Sequence, residues 1–230
     1  MNETILDGRG LTRTYWLGST PVKALGGVYV TIRRGEFLVL QGPSGSGKTT
    51  LINLLGLLDR PDGGTLTLDG DSVAAMDENA RADLRRDRFG FVFQSFNLVA
   101  VLTASENVEY PMMLKGVSRE ARRRLALDLL SRVGLAEKEA VRPDLLSGGQ
   151  RQRVAIARAL ANEPEVILPD EPTANLDTKT ADEVLDLMAR LNEERRVAFV
   201  LSSHDPRVVA RARRVLTLHD GRIAGSASPQ

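Results

Sequence analysis

Short apolar runs, separated by glycine-rich and charged stretches, dominate the first third of the chain. The segment GVYVTI alternates between apolar and polar positions, FLVLQ is a continuous apolar run, and GTLTLDG alternates again between glycines. Alternation is typical of a half-buried strand, and a short continuous apolar run is typical of a strand buried on both faces. The pattern therefore predicts three strands, with a leucine-rich helix, KTTLINLLGLL, between the second and the third.

The remainder of the chain changes from a helical block to alternating strands and helices. Residues 79–142 are mostly helical in pattern, and SREARRRLALDLLSRVGL is an amphipathic segment that Ser118 can cap and Gly134 can end. Strand-like runs return as EVIL, VAFVLSS and RVLTLHDGRIA, and TKTADEVLDLMARLNEE predicts a helix among them. This alternation favours an α/β fold whose parallel sheet is covered on both faces. The final GSASPQ resembles a disordered end.

Composition changes this picture mainly by exclusion. The 230 residues include 31 basic and 30 acidic side chains, so the bulk charge does not indicate nucleic acid or an anionic membrane as a partner. The absence of cysteine excludes a disulfide scaffold and any cysteine metal site. The opening MNETILDGRG lacks the apolar core of a signal peptide, and no apolar stretch is long enough to span a bilayer. Any action at a membrane is therefore expected to need a partner.

The stretch GPSGSGKTT, between a predicted strand and a predicted helix, fits the pattern G-x-x-x-x-G-K-[ST]. Backbone N–H groups of such a loop, together with the positive end of the helix dipole, bind the β-phosphate of a nucleotide. Lys48 would reach the β- and γ-phosphate oxygens, and the Thr49 hydroxyl would ligate magnesium. The alternative is a glycine-rich turn, which the strand and helix on either side disfavour. The predicted binding residues here are Gly42, Pro43, Ser44, Gly45, Ser46, Gly47, Lys48, Thr49 and Thr50.

A magnesium nucleotide site also needs a carboxylate at the end of another buried strand, and VILPDE provides one. Asp170 would hold magnesium through water, and Glu171 would orient and deprotonate the attacking water. Because proline cannot donate to a ladder, we expect strand pairing to end at Leu168, before Pro169.

A second glycine motif, LSGGQRQRVAIARAL, predicts a helix with Ser147 as its cap. The free amides at such a helix start form a second anion-binding site. An arginine-rich amphipathic helix with a serine cap explains the same spacing, so the spacing alone leaves both interpretations open.

The order GPSGSGKTT, LSGGQ, QRVAIARAL and DEPTANLD is similar to that of the nucleotide-binding subunit of ATP-binding-cassette (ABC) transporters, over nearly the whole chain. GFVFQSFNLVAVLTASENVEYPM and LLGLLDRPDGG resemble the branch of lipoprotein-releasing, macrolide-exporting and cell-division ATPases. The resemblance implies a P-loop NTPase fold of ABC ATPase type, with a mixed sheet core, an N-terminal antiparallel β subdomain and an inserted helical subdomain. It implies one ABC ATPase domain over residues 1–230, with residues 94–142 as the helical subdomain and residues 1–93 and 143–230 as the rest.

The resemblance also implies roles for single residues outside the phosphate loop. Gln94 would sense magnesium and the attacking water, and His204 would contact the γ-phosphate. Tyr15 would stack on adenine, with its neighbour Trp16 as the rival. Asp177 would link two nucleotide sites across a dimer. Because Glu171 and His204 are both present, we expect an active hydrolase.

The same family pattern implies that two copies assemble head to tail when ATP binds. Each of two ATP molecules would lie between Lys48 of one copy and the signature residues of the other. These signature residues are Ser147, Gly148, Gly149 and Gln150. ATP binding would close this homodimer and hydrolysis would release it.

A membrane permease is the expected partner, bound through the helical subdomain, which would keep the chain cytoplasmic and peripheral on the inner face of the cell membrane. Apolar candidates for a permease groove follow Gln94; they are Phe96, Leu98, Val101, Leu102, Val108, Tyr110, Met112 and Met113. The alternative places most of them in the core.

Three functions therefore stay open at this point. The first is an ATP-hydrolysing subunit that powers an exporter or a lipoprotein- or lipid-extracting system. The second is an ATP-dependent module that gates a membrane partner in cell division or signalling without moving a solute. The third, a soluble ABC protein of DNA repair or translation, is disfavoured because the chain has neither a long coiled coil nor a second cassette.

Overall fold

The computed structural model describes residues 3–74 and 76–227. The strands in these residues are β1 (Thr4–Leu17), β2 (Thr20–Arg33), β3 (Phe37–Gln41), β4 (Gly63–Leu68), β5 (Asp71–Ser72), β6 (Phe89–Val92), β7 (Val166–Pro169), β8 (Ala198–Ser202), β9 (Arg214–His219) and β10 (Arg222–Ala227). The helices are α1 (Lys48–Leu55), α2 (Glu78–Arg88), α3 (Ala104–Leu114), α4 (Arg119–Arg132), α5 (Gly148–Leu160), α6 (Thr178–Arg195) and α7 (Pro206–Val209). Two short 3₁₀ turns, Ala136–Lys138 and Pro143–Leu145, lie between α4 and α5.

The strands form two separate sheets. The core sheet has the order β10-β9-β3-β8-β7-β6, in which β9, β3, β8, β7 and β6 are parallel and β10 is antiparallel to β9. The second sheet, β2-β1-β4-β5, is antiparallel throughout and is built mainly from the first 72 residues. The mixed core sheet and the antiparallel N-terminal sheet confirm the predicted fold class.

Side chains of the core sheet alternate between two hydrophobic clusters. On β3, Phe37 and Val39 pack with the helices α3 to α6, whereas Leu38 and Leu40 pack with α1 and the antiparallel sheet. This division follows from the two-residue period of a strand. Because both faces are covered, β3 reads as a continuous apolar run rather than as an alternating one.

Capping residues define the ends of the central helices as the sequence predicts. Ser118 accepts a hydrogen bond from Ala121 N at the start of α4, and Gly134, with φ 74°, follows its end. Ser147 and Gln150 form a capping box at the start of α5. The division into a core and a helical subdomain at residues 94–142 stays a prediction, because α3 and α4 share one hydrophobic cluster with α5 and α6.

Pro169, which precedes the acidic pair Asp170 and Glu171, affects strand pairing differently from the expectation. Strand β7 includes Pro169, which pairs with Val92 of β6, so the expectation that pairing ends at Leu168 is wrong for this neighbour. The ladder with β8 stops after Ile167 and resumes as a single bridge at Asp170. Asp170 N donates to Val92 O on β6, and backbone groups of successive residues face opposite neighbours. The side of Pro169 that lacks an N–H therefore faces β8, and the β7–β8 ladder is interrupted at this place.

The C-terminal end also differs from its predicted pattern. The run RVLTLHDGRIA forms a hairpin of β9 and β10 rather than one strand. Its turn contains Asp220 and Gly221, both with positive φ. Of the predicted disordered tail, Gly225–Ala227 belongs to β10, and residues 228–230 lie outside the described residues.

Candidate functional site

The phosphate loop connects the end of β3 to the start of α1, as predicted. Gly47, the residue before α1, has φ 102°, and a Cβ there would lie 2.6 Å from Ala24 O of β2. Only glycine fits this position, because both the backbone conformation and the contact exclude a side chain. The loop is held by hydrogen bonds from Ser46 N to Pro43 O (3.2 Å) and from Gly221 N to Ser46 O (3.1 Å).

The ammonium of Lys48 lies within this loop. Its Nζ donates to Gly42 O at 2.8 Å and to Pro43 O at 3.1 Å, and the residue is buried. A lysine held in this way presents its positive charge at the start of α1, where the helix dipole is also positive. An anion at this place would find both charge and free amides. The loop therefore fits the phosphate groups of a nucleotide.

The first predicted carboxylate lies next to this helix start. Thr49 Oγ1 is 3.2 Å from both carboxylate oxygens of Asp170, and Ser202 Oγ of β8 donates to Asp170 Oδ1. Asp170 N is fixed to Val92 O on β6. A hydroxyl and a carboxylate side by side are donors of the hard oxygen type that Mg²⁺ prefers. Ser202 has no counterpart among the predicted site residues.

The second carboxylate has an unusual backbone. Glu171 has φ 46°, and its N–H donates to Ser202 O and Oγ, both at 3.1 Å. Its side chain is 17% exposed, and Oε1 lies 3.0 Å from His204 Nδ1. A carboxylate oxygen accepts, so Nδ1 of the histidine donates. At the carboxyl end of the core sheet, the structure thus brings Asp170 next to Thr49, the neighbour of Lys48. It also brings Glu171 next to His204.

Gln94 lies at the same edge, two residues after β6 ends. Its carbonyl accepts from Asn175 Nδ2 at 2.9 Å, and its side chain is exposed. Arg158 of α5 fixes the turn that follows Gln94, because its guanidinium donates to the carbonyls of Phe96 (2.8 Å) and Asn97. Phe96 and Asn97 both have positive φ. Burial lowers the pKa of the Arg158 guanidinium, and the two carbonyls offset its desolvation.

The signature residues lie at the start of α5, where Gly148 and Gly149 contact α6 and the segment before it. Gly149 packs so closely on α6 that a Cβ would lie 2.2 Å from Thr180 Cγ2. A Cβ at Gly148 would meet Leu176 Cδ2 at 3.4 Å, which is an ordinary contact. Within the described residues, no hydrogen bond joins Ser147–Gln150 to the loop 42–50. The two predicted anion-binding elements of one chain therefore share no hydrogen bond.

Asp177 and Tyr15, the remaining predicted residues, each have a structural partner. Asp177 caps α6 by accepting from Thr180 N at 3.1 Å, and hydrogen bonds from Thr180 lower the pKa of its carboxyl group. Tyr15 Oη donates to Asp59 Oδ2 at 2.8 Å. Trp16, the rival aromatic residue, is 70% exposed. The assigned roles of all these site residues stay predictions.

Of the apolar residues after Gln94 that the sequence offers for permease binding, only some lie at the surface. Val108 and Met112 are buried in the core cluster, and Leu98 packs against it. Exposed candidates are Val101, Tyr110 and Met113. Of the other two, Phe96 lies under Arg151, whose guanidinium carbon is 5.1 Å from the ring centroid, and Leu102 lines a cleft between α3 and α4.

Three contributors to the site were missed in the sequence. Ser202 contacts both acidic residues, Asn175 holds the Gln94 backbone, and Arg158 holds the turn after Gln94. Of the three, only Arg158 could have been noticed in the sequence, since it is an arginine among the apolar positions of a helix predicted to be amphipathic. The other two contacts join residues 31 to 81 positions apart, which no local pattern reveals.

Comparison with known proteins fits this geometry. The family model described as "ABC transporter" matches residues 25–174, which is more than half of the chain. The chain belongs to the ABC transporter family. This membership confirms the predicted family, and it makes the chain an ATP-binding cassette ATPase.

Two curated ABC proteins show how the chain relates to full-length members. It is 47% identical to the macrolide export ATP-binding/permease protein MacB of Hyphomonas neptunium over 97% of the chain, but that match covers only 34% of MacB. The chain thus spans about a third of the length of this relative. It is 46% identical to the lipoprotein-releasing system ATP-binding protein LolD 1 of Caulobacter vibrioides, covering 96% of this chain and 95% of LolD.

A solved ABC cassette has the same fold. It is the dimeric structure of a post-hydrolysis state of MJ0796 bound to ADP and Pi, with a TM-score of 0.91, 41% identity and coverage of 98% of this chain and 99% of that chain. MJ0796 comes from Methanocaldococcus jannaschii. Among the described residues of the present ABC cassette, none of the helices is both long and apolar enough to cross a bilayer.

Proposed function

We propose that this cassette binds and hydrolyses ATP to power a membrane ABC transporter, of the exporter or lipoprotein- and lipid-extracting type, by closing a homodimer around two ATP molecules. The observation that carries the proposal is the meeting of a phosphate loop, two acidic residues and a histidine at one sheet edge. Lys48 lies in the loop, Thr49 contacts Asp170, and Glu171 contacts His204. The likeness to MacB and LolD supports the export or extraction type.

The donor set near α1 fits magnesium together with nucleotide. Thr49 and Asp170 offer a hydroxyl and a carboxylate, and Gln94 offers an amide oxygen at the neighbouring strand end. Within the described residues no cluster of three or more His, Cys, Asp or Glu side chains could hold a metal. That fits Mg²⁺, which is usually bound by one or two carboxylates plus phosphate oxygens. Magnesium, when bound, neutralises charge that develops on the β- and γ-phosphate oxygens.

In this proposal Glu171 is the residue that acts on water. Its carboxylate is largely buried and is oriented by His204, and its backbone is fixed by Ser202. A base held in one geometry can accept a proton from water as the water attacks the γ-phosphate. His204, which is 72% exposed, would contact the γ-phosphate from the open side.

The separation of the two anion-binding elements supports a dimeric site. Ser147–Gln150 pack against the segment 175–180 rather than against the phosphate loop of the same chain. Their amides would reach the γ-phosphate of an ATP bound by a second copy. ATP then contacts both chains only before hydrolysis, so ATP binding favours closure and hydrolysis favours opening.

A groove next to the turn after Gln94 suits a helix of a membrane permease. The groove has a volume of about 320 Å³, and its apolar lining includes Leu58, Phe91, Phe93, Tyr110, Pro111 and Leu114. Leu58, Tyr110 and Leu114 are exposed. Apolar area of this kind, with polar residues around it, is typical of a binding surface, and three arginines also line this groove. We propose that the permease docks here and holds the cassette at the inner face of the cell membrane.

Substitution of Glu171 by Gln tests the proposed function. The amide cannot accept the proton, so ATP turnover is expected to fall by at least about 100-fold while ATP binding is retained. Because cleavage is blocked, the variant should accumulate as an ATP-bound dimer in light scattering after size exclusion. An active Glu171→Gln variant, or one that stays monomeric with saturating ATP and magnesium, would contradict the proposal. Lys48→Ala, which loses the phosphate contact, is the matched monomeric control.

A further inference from the structure

A charged network between β1 and the segment that joins α1 to β4 holds the aromatic side chain that is predicted to meet adenine. Tyr15 Oη donates to Asp59 Oδ2 at 2.8 Å, and the guanidinium carbon of Arg13 lies 4.9 Å from the Tyr15 ring centroid. Arg13 also forms ion pairs with Asp59 and Asp62, each at 2.8 Å. The phenol is therefore fixed at its hydroxyl and covered on one face.

Asp59 is itself fixed to the helix that begins at the phosphate loop. Its N–H donates to Asn53 O of α1 at 3.2 Å. Its carbonyl accepts from Nη2 of Arg81 at 2.6 Å, and Arg81 is 3% exposed. Movement of Asp59 would therefore disturb a buried guanidinium. The aspartate is a rigid link between the C-terminal end of α1 and the tyrosine.

The tyrosine also lies close to the phosphate loop along the sheet. Tyr15 pairs with Val22 of β2, and Ala24, two residues along, packs on Gly47 of the loop. Two residues of a strand span about 7 Å. A nucleotide with its phosphates in the loop can therefore reach Tyr15 with its base.

The same geometry distinguishes between the two neighbouring aromatic residues. Successive side chains of a strand point to opposite faces, so Trp16 faces away from the side on which Tyr15 meets Asp59. Trp16 is 70% exposed, whereas Tyr15 is partly buried. A pre-ordered ring binds a flat base at lower entropic cost than a freely rotating one.

We propose that Asp59 and Arg13 are positioning residues that hold Tyr15 as a pre-ordered stacking surface for the adenine base, a proposal that rests on the proposed ATP function. The network contacts the ring and not the phosphate loop residues that face the triphosphate. It therefore contributes to the part of the affinity that depends on the base. Affinity for the triphosphate group alone does not depend on it.

Calorimetric titration of the full chain with a non-hydrolysable ATP analogue and with inorganic tripolyphosphate tests this proposal. Asp59→Ala and Tyr15→Phe are each expected to weaken analogue binding roughly 3- to 10-fold, because each removes the hydroxyl contact that orders the ring. Tripolyphosphate affinity should be unchanged in both. The double variant should bind the analogue no more weakly than Asp59→Ala alone, since the two changes break the same contact. Tyr15→Ala, which also loses the ring, should bind it more weakly than Tyr15→Phe.

Trp16→Ala and Asp71→Ala, both exposed and outside the network, are the matched controls and should change analogue affinity by no more than about twofold. The proposal is overturned if Tyr15→Phe binds the analogue as the wild type does, if both ligands are weakened equally, or if Trp16→Ala causes the loss. Tyr15→Phe keeps the test decisive even if Asp59→Ala fails to fold. A wild-type chain that binds neither ligand would instead refute the proposed function itself.

Discussion

Glu171 has a backbone conformation that residues with a side chain rarely adopt, with φ 46°. Such strain costs about 1–3 kcal/mol and persists only where the surroundings impose it. Ser202 imposes it here, because its carbonyl and hydroxyl both accept from Glu171 N while the hydroxyl also contacts Asp170. One serine thus fixes both acidic residues. At the scale of single residues, the site depends on such supporting contacts as much as on the reacting groups.

Arg158 is the supporting residue whose replacement is most informative. Arg158→Gln would lose the paired hydrogen bonds to the carbonyls after Gln94, so this loop would no longer hold Gln94 in place. We expect the kcat for ATP to fall on the order of tenfold with little change in KM, because phosphate binding by Lys48 is intact. Steady-state ATPase assays measure both constants.

Two variants accompany this measurement. Arg158→Lys keeps a donor and should recover part of the kcat. Arg153→Gln, on the same helix, loses contacts to Val133 O and Glu183 far from the site and should leave kcat unchanged. Equal kcat in Arg158→Gln and Arg153→Gln would show that Arg158 has only a structural role.

At the scale of elements, the sequence predicts best where a local rule is strong. The glycine loop, the Ser147 cap and the end of α4 shortly before Gly134 follow from residue type and spacing alone. The effect of Pro169 was predicted only in part, because the neighbour that needs its N–H depends on strand order. Strand order results from long-range packing and has no local signature. For the same reason the roles of Ser202 and Asn175 could not be predicted.

The short helix α7 carries a pH-dependent cap beside His204. The hydrogen bond from Arg207 lowers the pKa of the Asp205 carboxyl group, and backbone and ionic contacts with Arg207 add to this. Because the folded value lies below the unfolded one, the stabilisation is complete above the usual aspartate pKa of about 4. It is lost as the pH falls through the lower folded value.

Urea unfolding of the wild type and of Asp205→Asn between pH 7 and pH 3 checks this. At pH 7 the variant should be less stable by about 1 kcal/mol, because the charged pair with Arg207 is gone. The two unfolding free energies should approach each other as the pH falls, because protonation removes the charge of the wild-type carboxyl. A difference that stays constant over this range would contradict the cap's ionic character.

At the scale of the whole molecule, coupling to a membrane partner should be separable from nucleotide chemistry. Leu114 lines the proposed permease groove and is 58% exposed, so Leu114→Asp should leave thermal stability and basal ATPase activity unchanged. Charge on this surface should abolish stimulation of the ATPase by the membrane subunit. Leu98→Asp is expected to destabilise the fold instead, because Leu98 packs against the core. Full stimulation of Leu114→Asp in reconstituted vesicles would remove this groove from the proposed interface.

The central claim is that each ATP site is built from two chains, and mixing two inactive variants tests it most directly. Lys48→Ala removes the phosphate contact, and Gly148→Asp places a negative charge at the signature, where a Cβ makes only ordinary contacts. In a mixed dimer both defects fall in one site and the other site is intact. The mixture is therefore expected to regain ATPase activity that neither variant has alone, with Gly148→Ala as the control for folding. A mixture as inactive as its components, despite proven mixed dimers, would contradict the account.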